Sequence, residues 1–432
     1  MRYGELYQSK RVSMDEIVRE VKSGDSVYVH PGGAAPLDLL SAFADYAKGN
    51  LTNVTTTHIL TLGPLDYMDP ALEGRVRHCA WFAGGNTRAA INEGRADWVP
   101  IFLGEIAKLI YERRVEFDEV MIQLSPPDEH GFCSLGVGVD LTLAAVRMGK
   151  RVIAEINPRM PRSLGDCFVH LSKIYKLVEV EHELAQLERG TIDEDSLACA
   201  RNIASIIDDG DCLQMGIGAI PDATLGLLGD RRDLGIHTEM FSDGAIDLLE
   251  RGVINGERKN LHRGKTVSAF VLGSTRAYDF LHNNPLIEMH PQEYTNDPFI
   301  IAQNDNFVAI NSCMQIDLTG QVVADNLGPK IYSGFGGQVD FVRGATRSKN
   351  GRPIIGFVSH AKNGKLTKIV AEHPQGYGIT TTRADVHWVA TEYGIVDLFG
   401  LNRRQRANAL IELAHPNFRE SLHSDAIRLG LI

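Results

Sequence analysis

A glutamate follows a glycine-rich turn in the second half of this chain. Residues 237–244 (His-Thr-Glu-Met-Phe-Ser-Asp-Gly) contain Glu239 and come after a short predicted strand at 234–236, one helix beyond the turn Gly216-Ile-Gly-Ala-Ile-Pro221. Glycines let the backbone turn sharply, so that N–H groups and a helix N-terminus can bind an anion or a developing oxyanion. Glu239 is therefore a candidate reactive carboxylate. The alternatives are a surface glutamate and a tight turn without a ligand.

A second glycine cluster, Tyr332-Ser-Gly-Phe-Gly-Gly-Gln338, is denser than the first. Three glycines in four positions weaken a helix or a strand, which favours a backbone-lined pocket over an ordinary loop. Neither cluster matches a nucleotide-binding motif. Pro221 replaces the third glycine of the dinucleotide fingerprint, and no Gly-Lys-Ser or Gly-Lys-Thr follows the second cluster.

The second half of the chain repeats motifs of the first half in the same order, about 186 to 189 residues later and then about 200 residues later. This ordered series predicts an internal duplication with one insertion in the second half. Glu239 aligns with the region 55–58, which has no carboxylate. The repeated pairs are Gly24-Asp25 with Gly210-Asp211, Gly85-Asn-Thr-Arg88 with Gly273-Ser-Thr-Arg276, Gly136-Val-Gly-Val-Asp140 with Gly336-Gly-Gln-Val-Asp340, and Arg151-Val-Ile-Ala with Arg352-Pro-Ile-Ile.

Each half alternates short β-branched runs with amphipathic helical patterns, which predicts an α/β fold with a mainly parallel sheet and flanking helices. We expect two homologous domains, residues 1–185 and 186–432, joined within the charged stretch 179–195. The strands are expected at 27–29, 120–124 and 151–156, and helices at 14–21, 36–47 and 141–146. The tail from Asn402 also has a helical pattern.

Composition excludes several classes of protein. The 432 residues carry a net charge of -11, which argues against nucleic acid or an anionic membrane as the main partner. Neither a signal peptide nor a membrane-spanning run is evident, and the six scattered cysteines suit a reducing compartment, so a cytoplasmic protein is expected. No motif typical of a metal site is present, so no bound metal is expected.

Several motifs together resemble the acetyl-CoA hydrolase/transferase family, most closely its 4-hydroxybutyrate and butyryl-CoA:acetate CoA-transferase branch. The resemblance covers nearly the whole chain. It depends on Ser125-Pro-Pro-Asp-Glu-His-Gly-Phe-Cys-Ser-Leu-Gly136, Gly216-Ile-Gly-Ala-Ile-Pro-Asp222, His237-Thr-Glu-Met-Phe-Ser-Asp-Gly244, Gln315-Ile-Asp-Leu-Thr-Gly-Gln321, the cluster 333–338 and Val389-Ala-Thr-Glu-Tyr-Gly394.

The resemblance implies a role for each site residue. Glu239 matches the catalytic glutamate that forms a glutamyl-CoA thioester. The family's remaining site positions contact CoA or the reacting carbonyl. For CoA these are Gly216, Ile217, Gly218, Ala219, Ile220, Gly334, Gly336, Gly337 and Lys362, with an oxyanion donor in each glycine loop; for the carbonyl they are Asn311 and Glu392. CoA is then a co-substrate, no cofactor is bound permanently, and a homodimer is expected.

The chemistry implied is transfer of CoA between short-chain acids by ping-pong catalysis, with Glu239 ionised at neutral pH. Two alternatives stay open. Water could replace the acceptor acid, which would make the protein an acyl-CoA hydrolase, or the chain could bind acyl-CoA without catalysis. Retention of Glu239 with both glycine loops disfavours a pure binder.

Overall fold

The computed structural model describes residues 3–187 and 190–432. The α-helices in these residues are α1 (Gly4–Lys10), α2 (Met14–Val18), α3 (Leu37–Asn50), α4 (Arg88–Asn92), α5 (Ile106–Tyr111), α6 (Thr142–Met148), α7 (Glu194–Ala204), α8 (Ala219–Leu227), α9 (Ile246–Glu250), α10 (Thr275–Leu281), α11 (Gln292–Thr295), α12 (Pro298–Ile301), α13 (Gln338–Arg347), α14 (Arg403–Glu412) and α15 (Pro416–Arg428). None of them is long and apolar enough to cross a membrane.

The strands alternate with these helices. They are β1 (Ser26–Val29), β2 (Val54–His58), β3 (Val76–Ala80), β4 (Asp97–Trp98), β5 (Glu119–Leu124), β6 (Phe132–Ser134), β7 (Arg151–Ile156), β8 (Phe168–His170), β9 (Lys176–Glu179), β10 (Cys212–Met215), β11 (Gly235–Phe241), β12 (Thr266–Val271), β13 (Ile287–Met289), β14 (Phe307–Asn311), β15 (Gln315–Asp317), β16 (Val322–Val323), β17 (Asn326–Leu327), β18 (Lys330–Ile331), β19 (Arg352–Gly356), β20 (His360–Ala361), β21 (Leu366–Thr367), β22 (Ile369–Val370), β23 (Trp388–Thr391) and β24 (Gly394–Asp397).

The chain forms two compact units, and one of them takes a segment from the second half. The first unit is Met1–Glu188 with Val267–Thr295, and the second is Arg189–Thr266 with Asn296–Ile432. The expected division into residues 1–185 and 186–432 describes the duplication in sequence order and stays a prediction. Two residues of the expected joining stretch 179–195, Glu188 and Arg189, lie outside the described residues.

Backbone hydrogen bonds explain why residues 267–295 belong to the first unit. The Val139 N–H donates to the Ala269 carbonyl at 3.1 Å, and the Val271 N–H donates to the Val137 carbonyl at 2.8 Å. Buried backbone groups must be paired, so this segment completes the first unit.

The first unit contains a parallel sheet with the strand order β4-β3-β2-β1-β5-β7-β9. Its central strands are buried, and all six residues of β5 are inaccessible to solvent. Parallel strands covered on both faces read as continuous apolar runs rather than alternating ones. The helix α3 packs its apolar side chains Leu39, Leu40 and Phe43 into the same core.

The second unit contains strands in the order β11-β10-β14-β19-β23-β24, parallel except for the antiparallel edge strand β24. Its register repeats that of the first unit. Val27, Glu119 and Arg151 are partners across neighbouring strands of the first sheet. Leu213, Val308 and Arg352 hold the corresponding positions in the second. The expected α/β fold with two homologous halves is confirmed.

Most of the predicted elements are confirmed within a few residues. The three named strands are present as β1, β5 and β7, and the three named helices as α2, α3 and α6. Helix α2 ends earlier than predicted, at Val18, because the chain turns there through the bond from the Val21 N–H to the Val18 carbonyl. The tail forms α14 and α15 as expected.

The strand before Glu239 is longer than predicted. We expected it to end at 236, but β11 continues to Phe241 and therefore includes Glu239. The physical reason is burial, because His237, Thr238, Met240 and Phe241 are all buried in the sheet.

Candidate active site

Glu239 lies near the end of β11, and its side chain is half-buried. The carboxylate Oε2 accepts a hydrogen bond from Asn296 Nδ2 at 3.0 Å, and the backbone of Gly337 also donates to the carboxylate. These donors orient the carboxylate at the carboxyl end of a parallel strand, where ligands of such sheets bind.

Asn296 connects Glu239 to a second carboxylate. Its side chain is inaccessible to solvent, and Nδ2 also lies 3.4 Å from Oδ2 of Asp340, a buried residue in the first turn of α13. Asn296 thus fixes the orientation of Glu239 from a position 57 residues later in the chain. Sequence reasoning missed Asn296, because nothing in its local pattern distinguishes it from a turn residue.

Gly337 leaves no room for a side chain beside Glu239. A Cβ on Gly337 would lie 2.0 Å from Glu239 Oε2 and 2.4 Å from Asn296 Nδ2. Its backbone angles, φ -92° and ψ 6°, are open to other residues, so close approach alone requires glycine. The neighbouring Gly336 has a φ of +56°, which only glycine adopts without cost. The second glycine loop therefore lies directly against the Glu239 carboxylate, and the predicted contacts of Gly336 and Gly337 to CoA stay predictions.

The surroundings of Glu239 raise its pKa above the value expected for a solvated glutamate. Burial raises the pKa of this carboxyl from 4.5 to about 7, and the hydrogen bonds from Asn296 and Gly337 oppose that rise. The carboxyl is thus partly protonated at neutral pH before a ligand binds. The expectation of full ionisation is corrected, because the reference pKa describes a solvated group.

The first glycine loop connects β10 to α8. Gly218 has a φ of +124° and stands directly before the first residue of α8, with open space where a Cβ would be. Ile217 is about half exposed, although it is a large apolar residue. The loop thus presents backbone groups, the helix N-terminus and one apolar side chain together.

A cavity of about 620 Å³ in the second unit brings this loop together with the predicted Lys362. It also contains Lys368, a second basic side chain that sequence reasoning did not select. The lining comprises Asp193, Asp195, Ser196, Ile217, Gly218, Ala219, Ile220, Pro221, Ser312, Phe357, Val358, His360, Ala361, Lys362, Asn363 and Lys368. Two lysines and a helix N-terminus can neutralise an anionic ligand despite the net charge of the chain.

Lys362 is held in an unusual backbone conformation. It lies in the hairpin between β20 and β21, and both Lys362 and Asn363 have positive φ angles, 50° and 54°. Such angles cost free energy in a residue other than glycine and are common at ligand sites. The hairpin is fixed at its base, because Glu392 accepts hydrogen bonds from the N–H of Ser359 at 2.8 Å and from its hydroxyl at 2.5 Å.

The structure places Asn311 and Glu392 as follows. Asn311 ends β14, and its Nδ2 donates to Gln214 Oε1 at 3.1 Å on the neighbouring strand β10. Glu392 follows β23 with a nearly buried side chain that binds Ser359. Their contacts to a reacting carbonyl, and the contacts of Gly216 and Gly334 to CoA, stay predictions.

Comparison with known proteins identifies the family. The acetyl-CoA hydrolase/transferase N-terminal domain model matches residues 1–188, and the C-terminal domain model of the same family matches residues 273–426. The chain is 44% identical to 4-hydroxybutyrate coenzyme A transferase of Clostridium kluyveri, over 98% of this chain and 99% of that protein.

Two further relatives agree. The chain is 46% identical to succinyl-CoA:acetate/propanoyl-CoA:succinate CoA transferase of Fasciola hepatica, over 95% of this chain and 86% of that protein. The crystal structure of RipA from Yersinia pestis covers 100% of both chains with a TM-score of 0.94 and 36% identity. The chain belongs to the acetyl-CoA hydrolase/transferase family, and it is an enzyme of the CoA-transferase class with CoA as co-substrate.

Proposed function

We propose that this enzyme moves CoA between a short-chain acyl-CoA and a carboxylic acid such as acetate, through a thioester on Glu239. The observation that carries the proposal is the carboxylate itself. Glu239 is packed directly against Gly337 and bound by Asn296, next to a helix start, where a surface glutamate would have no such partners. A residue that only packs would not be a carboxylate in such a site.

The reaction begins when an oxygen of ionised Glu239 attacks the acyl-CoA carbonyl. The C–S bond breaks, CoA leaves as a thiolate, and a mixed anhydride joins the acyl group to Glu239. The thiolate then attacks the glutamyl carbonyl, which releases the first acid and leaves CoA attached to Glu239. The second acid runs these steps in reverse, so that the kinetics are ping-pong.

A carboxylate is a poor nucleophile for expelling a thiolate, so the site must stabilise the tetrahedral intermediates. Backbone N–H groups of the loop 216–220 and of Gly337 are the proposed donors to the oxyanion. Each such donor contributes on the order of 3 to 4 kcal/mol in enzymes where one has been removed. The gap between Glu239 and Gly337 is too small for a Cβ, which fits a backbone donor at this point.

We assign the 620 Å³ cavity to CoA, with Lys362 and Lys368 as partners of its phosphates. Binding of this distant part of the substrate can offset the strain at the thioester. Ile217 would cover the thiol end and keep water from the anhydride and the thioester, both of which hydrolyse.

The acid substrates are proposed as a class. One relative is named for 4-hydroxybutyrate, and another of similar identity is named for succinyl-CoA, acetate and propanoyl-CoA. Both names describe small acids, with acetate in one of them. We therefore propose small aliphatic acids, of which acetate, butyrate and 4-hydroxybutyrate are the first to test. We also propose that the protein is cytoplasmic and that it forms a homodimer. Analytical sedimentation would check the homodimer.

The decisive experiment is to incubate the protein with butyryl-CoA or acetyl-CoA and to search by mass spectrometry for CoA on the peptide that contains Glu239. We expect the adduct in the native protein and its loss in Glu239→Ala. The exposed Glu250→Ala on the nearby helix α9 is the matched control and should keep it.

The other outcomes exclude the proposal in different ways. Thioester consumption without an adduct, and without a requirement for an acceptor acid, would indicate a hydrolase. Binding of CoA without consumption of the thioester would indicate a binder.

A further inference from the structure

The glycine loop beside Glu239 is held at its two ends by two adjacent buried threonines of the second unit. Residues 333–337 contain three glycines, so their backbone has little conformational preference of its own. Thr380 holds the beginning of this loop and Thr381 holds its end. The backbone of Thr381 is itself fixed, because its N–H and carbonyl both pair with Val322 of β16.

The beginning of the loop is attached through Asp325, which is buried. The Thr380 hydroxyl donates to the Asp325 carboxylate, and the Asp325 carbonyl accepts the N–H of Ser333 at 3.0 Å. The N–H of Ala324 donates to the Thr380 hydroxyl at 2.7 Å. The glycine-rich residues therefore start from a fixed point.

The end of the loop is attached through Gln338, the first residue of α13 and the direct neighbour of Gly337. Its Oε1 accepts from the Thr381 hydroxyl at 2.8 Å, and its Nε2 donates to the Ser312 carbonyl at 2.6 Å. A carbonyl can only accept, so the orientation of this amide is determined. Gln338 is 9% exposed, and both ends of its amide are paired inside the protein.

The two neighbours of Gln338 belong to the two parts of the candidate site. Ser312 is exposed and lines the cavity that we assign to CoA. On the other side, the backbone of Gly337 donates to the Glu239 carboxylate. One buried side chain thus connects the wall of the cavity to the residue whose backbone binds the proposed nucleophile.

We infer that Gln338 is a positioning residue that couples occupation of the cavity to the alignment of Glu239, an inference that rests on the proposed function. A ligand packed against the wall at Ser312 restrains, through Gln338, the Gly337 backbone that faces Glu239. Binding of the distant part of the substrate is then used to align the reacting groups.

A truncated substrate tests the coupling. S-butyrylpantetheine has the same thioester as butyryl-CoA but lacks the nucleotide, so it fills less of the cavity. We expect the native protein to transfer the butyryl-CoA thioester to acetate with a kcat at least tenfold higher than for S-butyrylpantetheine, because truncated substrates lose kcat when remote binding is used for alignment.

Gln338→Met should remove this advantage. The substitution keeps a side chain of similar size but removes both hydrogen bonds. We expect kcat for butyryl-CoA to fall about tenfold, whereas kcat for S-butyrylpantetheine should stay within about twofold of the native value. The affinity for CoA, measured by titration calorimetry, should not weaken, since Gln338 does not line the cavity.

A second variant keeps the test informative if Gln338→Met does not fold. Thr381→Val removes the hydroxyl that binds Gln338 and preserves the shape of the side chain, and it should lower the ratio of the two kcat values in the same direction. Thr346→Val is the matched control, because the Thr346 hydroxyl bonds the Val342 carbonyl within α13. This control should keep the native ratio.

Three results would overturn the inference. They are equal kcat values for the two thioesters in the native protein, equal losses with both thioesters in Gln338→Met, which would indicate a merely structural role, and weaker CoA binding with unchanged kcat. None of them affects the proposed reaction, which the CoA adduct on Glu239 of the native protein tests separately. Absence of that adduct would reject the proposed function itself.

Discussion

At the scale of single residues, the protonation of Glu239 controls the proposed reaction. Burial raises its pKa to about 7, whereas Asn296 and Gly337 stabilise the charged form. Perturbed pKa values cluster at functional sites, where groups must have a charge state suited to their chemistry. The same residue therefore affects activity and stability, with opposite dependence on its charge.

Activity should rise with pH through the pKa of Glu239. Only the carboxylate attacks, so kcat/KM for acyl-CoA should increase about tenfold per pH unit below pH 7 and level off above it. A pH profile from 5.5 to 8.5 measures this. A flat profile over that range would contradict the assignment.

Asn296→Ala should move this profile to higher pH. Loss of the donor at 3.0 Å removes an interaction that lowers the pKa of Glu239, and kcat/KM at pH 7 should fall about tenfold. Gln303→Ala is the matched control, because Gln303 is an exposed amide whose Nε2 donates to the Phe299 carbonyl of its own helix end. A loss of activity without a shift of the profile would indicate a merely structural role.

Glu239→Gln should stabilise the fold at alkaline pH. The pKa is about 7 in the folded state and near 4.5 unfolded, so the folded state holds more protons between these values. Stability of the native protein therefore falls as pH rises from about 4.5 to 7, and the variant lacks this loss. Urea unfolding at pH 8 should show a gain on the order of 1 to 3 kcal/mol, and at pH 4.5 almost none. An equal gain at both pH values would contradict the raised pKa.

At the scale of elements, the start of α13 determines how closely the backbone approaches Glu239. Gly337 stands directly before this helix, and Asp340 in its first turn contacts Asn296. The start of α13 thereby places the Gly337 backbone donor and the Asp340–Asn296 contact beside Glu239, near the end of β11. In the first unit, Asp140 occupies the equivalent place, and its carboxylate accepts hydrogen bonds from the N–H groups of Leu141 and Thr142 instead.

Gly337→Ala should inactivate the enzyme without unfolding it. The new Cβ would lie 2.0 Å from Glu239 Oε2, so the carboxylate must move, whereas the backbone angles suit alanine. We expect kcat/KM to fall at least 100-fold, since small misplacements of reacting groups are costly. Gly226→Ala is the control, because it lies inside α8 with open space at its Cβ. The Gly226→Ala variant should keep its activity. An active Gly337→Ala variant would contradict the close approach of the Gly337 backbone to Glu239.

At the scale of the whole molecule, the two units show what the duplication preserved. The strands β2-β1-β5-β7-β9 of the first unit and β11-β10-β14-β19-β23 of the second keep the same order, and their central strands keep the same register. The basic residue at the start of β7 and of β19 also keeps its function, since Arg151 pairs with the buried Glu119 and Arg352 with the buried Asp211. The register makes Ile59 the first unit's counterpart of Glu239, one position beyond the region 55–58 expected from the sequence, so this strand position has a carboxylate in the second unit and an apolar side chain in the first.

The first unit should need residues 267–295 to fold. The backbone groups of Val137 and Val139 pair with this segment, and Asp166 N–H donates to the Met289 carbonyl at 2.9 Å. A fragment of residues 1–187 leaves these groups unpaired, and we expect no cooperative thermal transition. The same fragment joined by a flexible linker to 267–295 should melt cooperatively in circular dichroism. Equal melting of both fragments would show that the segment is dispensable.

The class of fold, the duplication and the family could all be predicted from the amino-acid sequence. These depend on local periodicity and on ordered motifs, which are readable without coordinates. It also pointed to Glu239 and Gly337, because the halves diverge at one strand and because dense glycine marks close backbone approach. Those signals are carried by residue type and spacing alone.

The surroundings of these residues could not be predicted, because they depend on how distant segments pack together. Asn296 reaches Glu239 from a distant turn, Lys368 joins Lys362 at one cavity, and residues 267–295 complete the first unit. The raised pKa of Glu239 also arises from burial among residues far apart in sequence. Burial and hydrogen-bond direction depend on which distant segments meet, and local sequence patterns carry no record of that.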